Sequence, residues 1–205
     1  MNYLTFKKKM FSQAYFNINQ IYGWKQNFNR NNLTRWLNKG LIVKLRQGYY
    51  TFPEYKDKPY YAYFFANKIY QPSYISLHTA LAFYGMIPES VIQITSVTTL
   101  KTEYFRNDFG EYSYKSLKKQ LFFGYDLKPM TNNRILKIAK PEKALLDLLY
   151  LYPFYNTEQK LLDLRLNNNF LQEQLDKNIL IKFCHTFKND SLKIRLKRLF
   201  KVYEI

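Results

Sequence analysis

"NFNRNNLTRWLNKGLIVKLRQGYY", residues 27–50, decides how the first quarter of the chain is read. Asn29 suits a helix N-cap, where its side-chain oxygen satisfies a free backbone N–H. A helix from Arg30 to Lys39 follows, with Leu33, Trp36 and Leu37 at i, i+3 and i+4 as one apolar stripe. Gly40 sits where a C-terminal glycine ends a helix. Next come two strand-like runs, "LIVKL" (41–45) and "YYTF" (49–52), joined by "RQG", with Gly48 able to take the left-handed position of a tight loop.

The helix face opposite the apolar stripe carries Arg30, Asn31, Thr34, Arg35, Asn38 and Lys39, with no acid. Arginine bonds guanine edges in pairs and asparagine does the same for adenine, so this face has the chemistry of major-groove reading. Lys44, Arg46 and Gln47 stand at the hairpin, where a wing touches flanking phosphates or the minor groove. Earlier helices are expected at 3–12 and 17–23. Three helices and a two-stranded wing make a winged helix-turn-helix module over residues 1–55. The plainer alternative is a solvated polar face beside an ordinary hairpin.

Charge distribution bears on that choice. The 205-residue chain has a net charge of +17 and is rich in Lys, Asn, Tyr and Phe. All four have AT-rich codons, so a nucleotide bias alone raises them. Such bias spreads charge evenly, yet residues 1–58 hold eleven Lys/Arg against two acids, net +9. Residues 59–140 are net +5 and residues 141–205 net +3. A polyanion-binding N-terminal module produces this asymmetry.

"FPEYKDKP" (52–59) ends the hairpin pattern with two prolines and divides the first module from a larger domain, 59–205. Helices are expected at 60–70 and at 76–85, where Ser76 is the N-cap and Gly85 the stop. "VIQITSVTT" (91–99) is a strand by its β-branched residues. Short strands are expected at 111–115, 120–125 and 133–139. The helix "PEKALLDLLYLYP" starts at Pro141 and stops before Pro153, and helices at 157–167, 171–184 and 190–203 follow. The fold class is α+β: a winged N-terminal module, then a larger mixed α/β domain ending in helices.

Sites for chemistry are sparse. One cysteine, Cys184, excludes an internal disulfide, and Cys184, His78 and His185 have no zinc-like spacing. His78 lies in an apolar helix and reads as a packed residue. No phosphate loop, glycine-rich fingerprint or nucleophile elbow occurs. Glu142 and Asp147, like Glu158 and Asp163, are five apart and share no helix face. Lys143 and Asp147 form an i, i+4 pair in the less favourable order. No catalytic residue, metal or cofactor is expected. No apolar run nears the roughly 18 residues of a membrane span, and the lysines near the N-terminus precede no apolar segment, so a cytoplasmic protein without membrane association is expected. "SLKIRLKRLFKVY" (191–203) is a basic amphipathic helix, suited to an acidic surface or to docking on the core.

Taken together, several stretches resemble the AbiEi-type antitoxins of type IV toxin–antitoxin (abortive infection) systems. They are "LNKGLIVKLRQGYYTF" (37–52), "YISLHTALAFYGMIPE" (74–89), "ITSVTTLKTEYF" (94–105), "FFGY" (122–125) and, best matched, "AKPEKALLDLLYL" (139–151) against the family's A-x-P-E-K-A-L-L-D. The likeness touches most of residues 28–152; the last 50 match only in being helical. "FNINQIYGW" (16–24) departs from the family's more polar turn. The resemblance implies a repressor that binds inverted repeats in double-stranded DNA of its own promoter. It also implies a C-terminal domain that counters a nucleotidyltransferase toxin without requiring a stable complex. Two other classes remain: a stand-alone winged-helix regulator with a sensing or dimerising domain, and a DNA-targeted nuclease.

Overall fold

The computed structural model describes residues 1–205. Helix α1 (Tyr3–Met10) leads through a short 3-10 turn into strand β1 (Tyr15–Asn17). Helix α2 (Ile18–Trp24) follows at once because Asn17 and Gln20 close a reciprocal capping box, at 3.0 and 2.8 Å. Helix α3 (Asn31–Asn38) then precedes strands β2 (Val43–Arg46) and β3 (Tyr49–Thr51), and β1, β3 and β2 form one antiparallel sheet in that order. Aromatic side chains bind this part together. Phe6 sits 4.6 Å from Trp36 and 5.0 Å from Phe16, ring centre to ring centre, and all three are buried.

The larger part is a mixed α+β arrangement, as its pattern predicts. Its strands are β4 (Ser73–Ile75), β5 (Gln93–Thr98), β6 (Glu103–Asn107), β7 (Gly110–Ser116), β8 (Tyr125–Met130) and β9 (Arg134–Ala139). They form one sheet in the order β6-β7-β5-β4-β9-β8, with β5–β7 and β4–β9 parallel and the other pairs antiparallel. Successive strand residues face opposite sides, and β4 shows this directly. Ser73 turns to helix α4 (Tyr61–Ile69), where its hydroxyl donates to the Ala66 carbonyl at 3.5 Å. Tyr74 turns to the other face, toward helix α6 (Pro141–Leu151). Helix α5 (Leu77–Phe83) packs between β5 and α6. Helices α7 (Glu158–Leu162), α8 (Asn168–Glu173), α9 (Lys177–Phe187) and α10 (Asp190–Tyr203) complete the chain.

Expected and observed elements differ in specific places. Where a strand is expected at 120–125, a 3-10 turn (Lys119–Leu121) ends and the chain runs irregularly to Gly124, whose φ of +70° breaks extended pairing. A β-carbon on Gly124 would lie 3.0 Å from the Phe183 ring, so α9 approaches the bare backbone there. The helix at 157–167 stops at Leu162, and Arg165 turns left-handed at φ +50°. The helix at 171–184 is two helices, because Asp176 caps a fresh start by accepting from the Asn178 and Ile179 N–H groups. Strands β1, β4 and β6, and all of β8 beyond Tyr125, fall outside the strands that the sequence pattern predicts. One continuous apolar core runs from Phe6 to Tyr203 across the 52–59 stretch.

Candidate nucleic-acid interface

Helix α3 is fixed from both ends. The Asn29 side chain accepts the Asn31 N–H at 2.9 Å, although the residue immediately before the helix is Arg30. At the other end Leu41 N–H reaches the Trp36 carbonyl and Gly40 N–H the Leu37 carbonyl, each at 2.9 Å. This paired closure needs a left-handed residue, supplied by Gly40 at φ +65°. Leu33 and Trp36 are buried and Leu37 is half-buried, as the apolar stripe requires.

The opposite face is open. Arg30, Asn31, Thr34, Arg35, Asn38 and Lys39 are all exposed. Five of them, from Asn31 to Lys39, line a shallow depression of about 370 Å³ with no apolar side chain in its wall. Lys44 on β2 and Gln47 at the hairpin turn are exposed too. Sequence patterning overlooked Asn32, which is buried yet accepts a 2.6 Å hydrogen bond from the Arg35 guanidinium. The i, i+3 spacing is the signal that finds it: Asn32 restrains the direction in which Arg35 points.

The expectation that Arg46 stands free at the wing is not met. Its guanidinium turns inward, donates to the Ile69 carbonyl at 2.6 Å, and lies 5.1, 5.7 and 5.2 Å from the ring centres of Tyr49, Tyr70 and Phe105. The planar cation is satisfied by three π faces and a carbonyl, which water or a phosphate must outcompete. Beside it the Asn107 amide donates to the Leu45 carbonyl at 2.8 Å. Arg134 makes a second tie, donating to both the Tyr61 hydroxyl and the Ser12 carbonyl.

The acids of α6 are inward. Asp147 is fully buried and accepts from Lys143, from the Tyr74 hydroxyl at 3.0 Å and from the Ser76 hydroxyl at 2.8 Å. Lys143 also donates to Tyr74 at 2.9 Å. Burial lifts the Asp147 carboxyl and lowers the Lys143 ammonium, and their contact opposes both shifts. Ser76 stands at the α5 N-cap position as expected, but spends its hydroxyl on Asp147 rather than on the helix N–H groups. Glu142 is buried and accepts the Asp176 N–H at 3.0 Å. No group of three or more His, Cys, Asp or Glu stands close enough to hold a metal ion.

Helix α10 is docked: Leu192, Leu196, Leu199 and Tyr203 are buried, and Arg195 among its basic residues is buried as well, donating to the Leu149 carbonyl. No helix is long and apolar enough to cross a membrane. Searched against models of known protein families, the chain matches none, and no curated protein matches it either.

Proposed function

We propose that this protein is a DNA-binding repressor that acts as the antitoxin of a type IV toxin–antitoxin system. In this reading residues 1–55 are a winged helix-turn-helix module that binds inverted repeats in its own promoter. Residues 59–205 counter a nucleotidyltransferase toxin without chemistry of their own. The observation that carries the DNA-binding part is the acid-free exposed face of α3 set against its buried Leu33 and Trp36. The order helix, strand, helix, helix, hairpin supports the winged assignment. The antitoxin part rests on the likeness of residues 74–89 and 139–151 to that family's segments.

Arg30, Asn31, Thr34, Arg35, Asn38 and Lys39 are assigned to the major groove, and Lys44 and Gln47 to the flanking backbone. Arg46 is assigned to holding the wing against the larger part. Against the nuclease alternative, Glu142 and Asp147 are buried and engaged within the protein.

Titration of the full-length chain against its upstream DNA tests the first half. If about six phosphates are neutralised, affinity falls about a thousandfold between roughly 50 and 200 mM salt. An affinity flat over that range overturns the assignment. Co-expression with the product of an adjacent nucleotidyltransferase gene tests the second half: growth is restored by the full-length chain, and failure of rescue by well-folded protein removes the antitoxin role.

A further inference from the structure

A cleft lies away from α3, on the sheet face that carries α5. It encloses about 500 Å³, within the range of small-molecule sites. His78 from α5, Thr95 from β5, and Tyr152 and Tyr155 from the segment after α6 form its walls. Glu89 and Asp163 stand at its rim, both exposed. In a chain with more than twice as many Lys and Arg as acids, the only charged residues lining this cleft are those two carboxylates.

The cleft's margin already attracts the protein's own cations. Arg165 reaches Glu89 at 3.1 Å. The Lys115 ammonium sits 5.6 Å from the centre of the Tyr152 ring. His78 adds no opposing charge: burial lowers its imidazole below the ordinary value, and its Nε2 lies 3.2 Å from the Tyr155 hydroxyl. Asp163 takes only a 2.9 Å hydrogen bond from the Gln159 amide, so it has no cationic partner. Aromatic faces beside a free carboxylate are the combination that binds an ammonium or guanidinium with an organic body.

We propose that this cleft binds a small organic cation, an aliphatic amine or a guanidinium compound, with its charge at Asp163 and its body against Tyr152 and Tyr155. The site is separate from the α3 face and stands whether or not the DNA-binding reading holds.

Isothermal titration of the full-length protein with putrescine and with agmatine tests it, beside 1,4-butanediol as the uncharged counterpart of putrescine with the same four-carbon chain. One amine binds per chain, the diol does not, and Asp163→Asn weakens the amine about tenfold, as loss of a charge-assisted contact does. Because Asp163 is exposed, this variant keeps its fold; an unchanged melting curve verifies that. Tyr152→Leu, checked in the same way, gives a second reading through loss of the aromatic wall. Absence of amine binding, equal binding of the diol, or full affinity in well-folded Asp163→Asn and Tyr152→Leu overturns the proposal.

Discussion

The Lys143 ammonium rests on the Asp147 carboxylate one helical turn away, and neither side chain reaches solvent. Tyr74 bridges the two, and Ser76 fills a remaining lone pair of the carboxylate. Three ring centres, those of Phe187, Phe123 and Tyr74, stand 5.0, 5.1 and 5.6 Å from the ammonium. The pair therefore joins α6 to β4, to the start of α5 and to α9.

Removing one partner leaves the other charge buried and uncompensated. Lys143→Met is expected to cost about 3–5 kcal/mol in urea unfolding, and Lys143→Met with Asp147→Leu to recover much of that. A single variant as stable as the parent would show that the pair carries little of the fold.

Arg35 and Asn32 are expected to act together on DNA. Arg35→Ala weakens binding to the upstream sequence by roughly 1–3 kcal/mol if the guanidinium reads a base. Asn32→Ala releases Arg35 from its restraint and weakens the specific site more than unrelated DNA. Parent-like gel-shift curves for both variants place the reading elsewhere on the surface.

Lys44 and Arg46, two residues apart, are expected to give opposite phenotypes. Lys44→Ala lowers affinity for all sequences alike and flattens the salt slope by about one. Arg46→Ala leaves the salt slope as it was and lowers thermal stability, because three aromatic rings lose their cation and the Ile69 carbonyl loses its donor. Exchange of these two phenotypes reverses the assignment of the wing.

His78 predicts an acid sensitivity of defined sign. Its folded-state value lies below the ordinary 6.5, chiefly through burial, with Glu89 opposing. The unfolded chain thus takes up the proton more readily. The stabilisation is complete above the ordinary value and is lost as pH falls through it toward the folded value. Melting temperatures measured down this range drop less in His78→Gln than in the parent, and parallel curves would exclude the imidazole as the cause.

The sequence discloses α3 well because one residue period, one N-terminal Asn and one stop glycine agree on it. Helix α10 matches its expected bounds through its apolar period and an N-terminal Asn, Asn189, while Glu204 rather than a glycine turns left-handed at its end. Strand β4 stays hidden: Ser73, Tyr74 and Ile75 are all buried, so no polar alternation marks them. The inward turn of Arg46 is equally silent, since its cage includes Tyr70 and Phe105, far along the chain and meaningful only once the sheet exists. Lys143 and Asp147 look like a weak surface pair in sequence; Tyr74 and Ser76, about seventy residues earlier, help make them a core pair. The cleft beside His78 draws single residues from separate segments, and no local window contains it.

The parallel pairing of Ile75 with Ile138 has a consequence for how the chain matures. Strand β4 is the only link between the two halves of the six-stranded sheet, β6-β7-β5 on one side and β9-β8 on the other. During synthesis it has an open edge until β9 has left the ribosome. Arg134, at the head of that same strand, is also the residue that reaches back to the Ser12 carbonyl. The last tie on the amino-terminal helices is thus made in the second half of translation. A nascent chain that carries α3 in full still lacks this tie to the turn after α1, and long-range closures of this kind are slow.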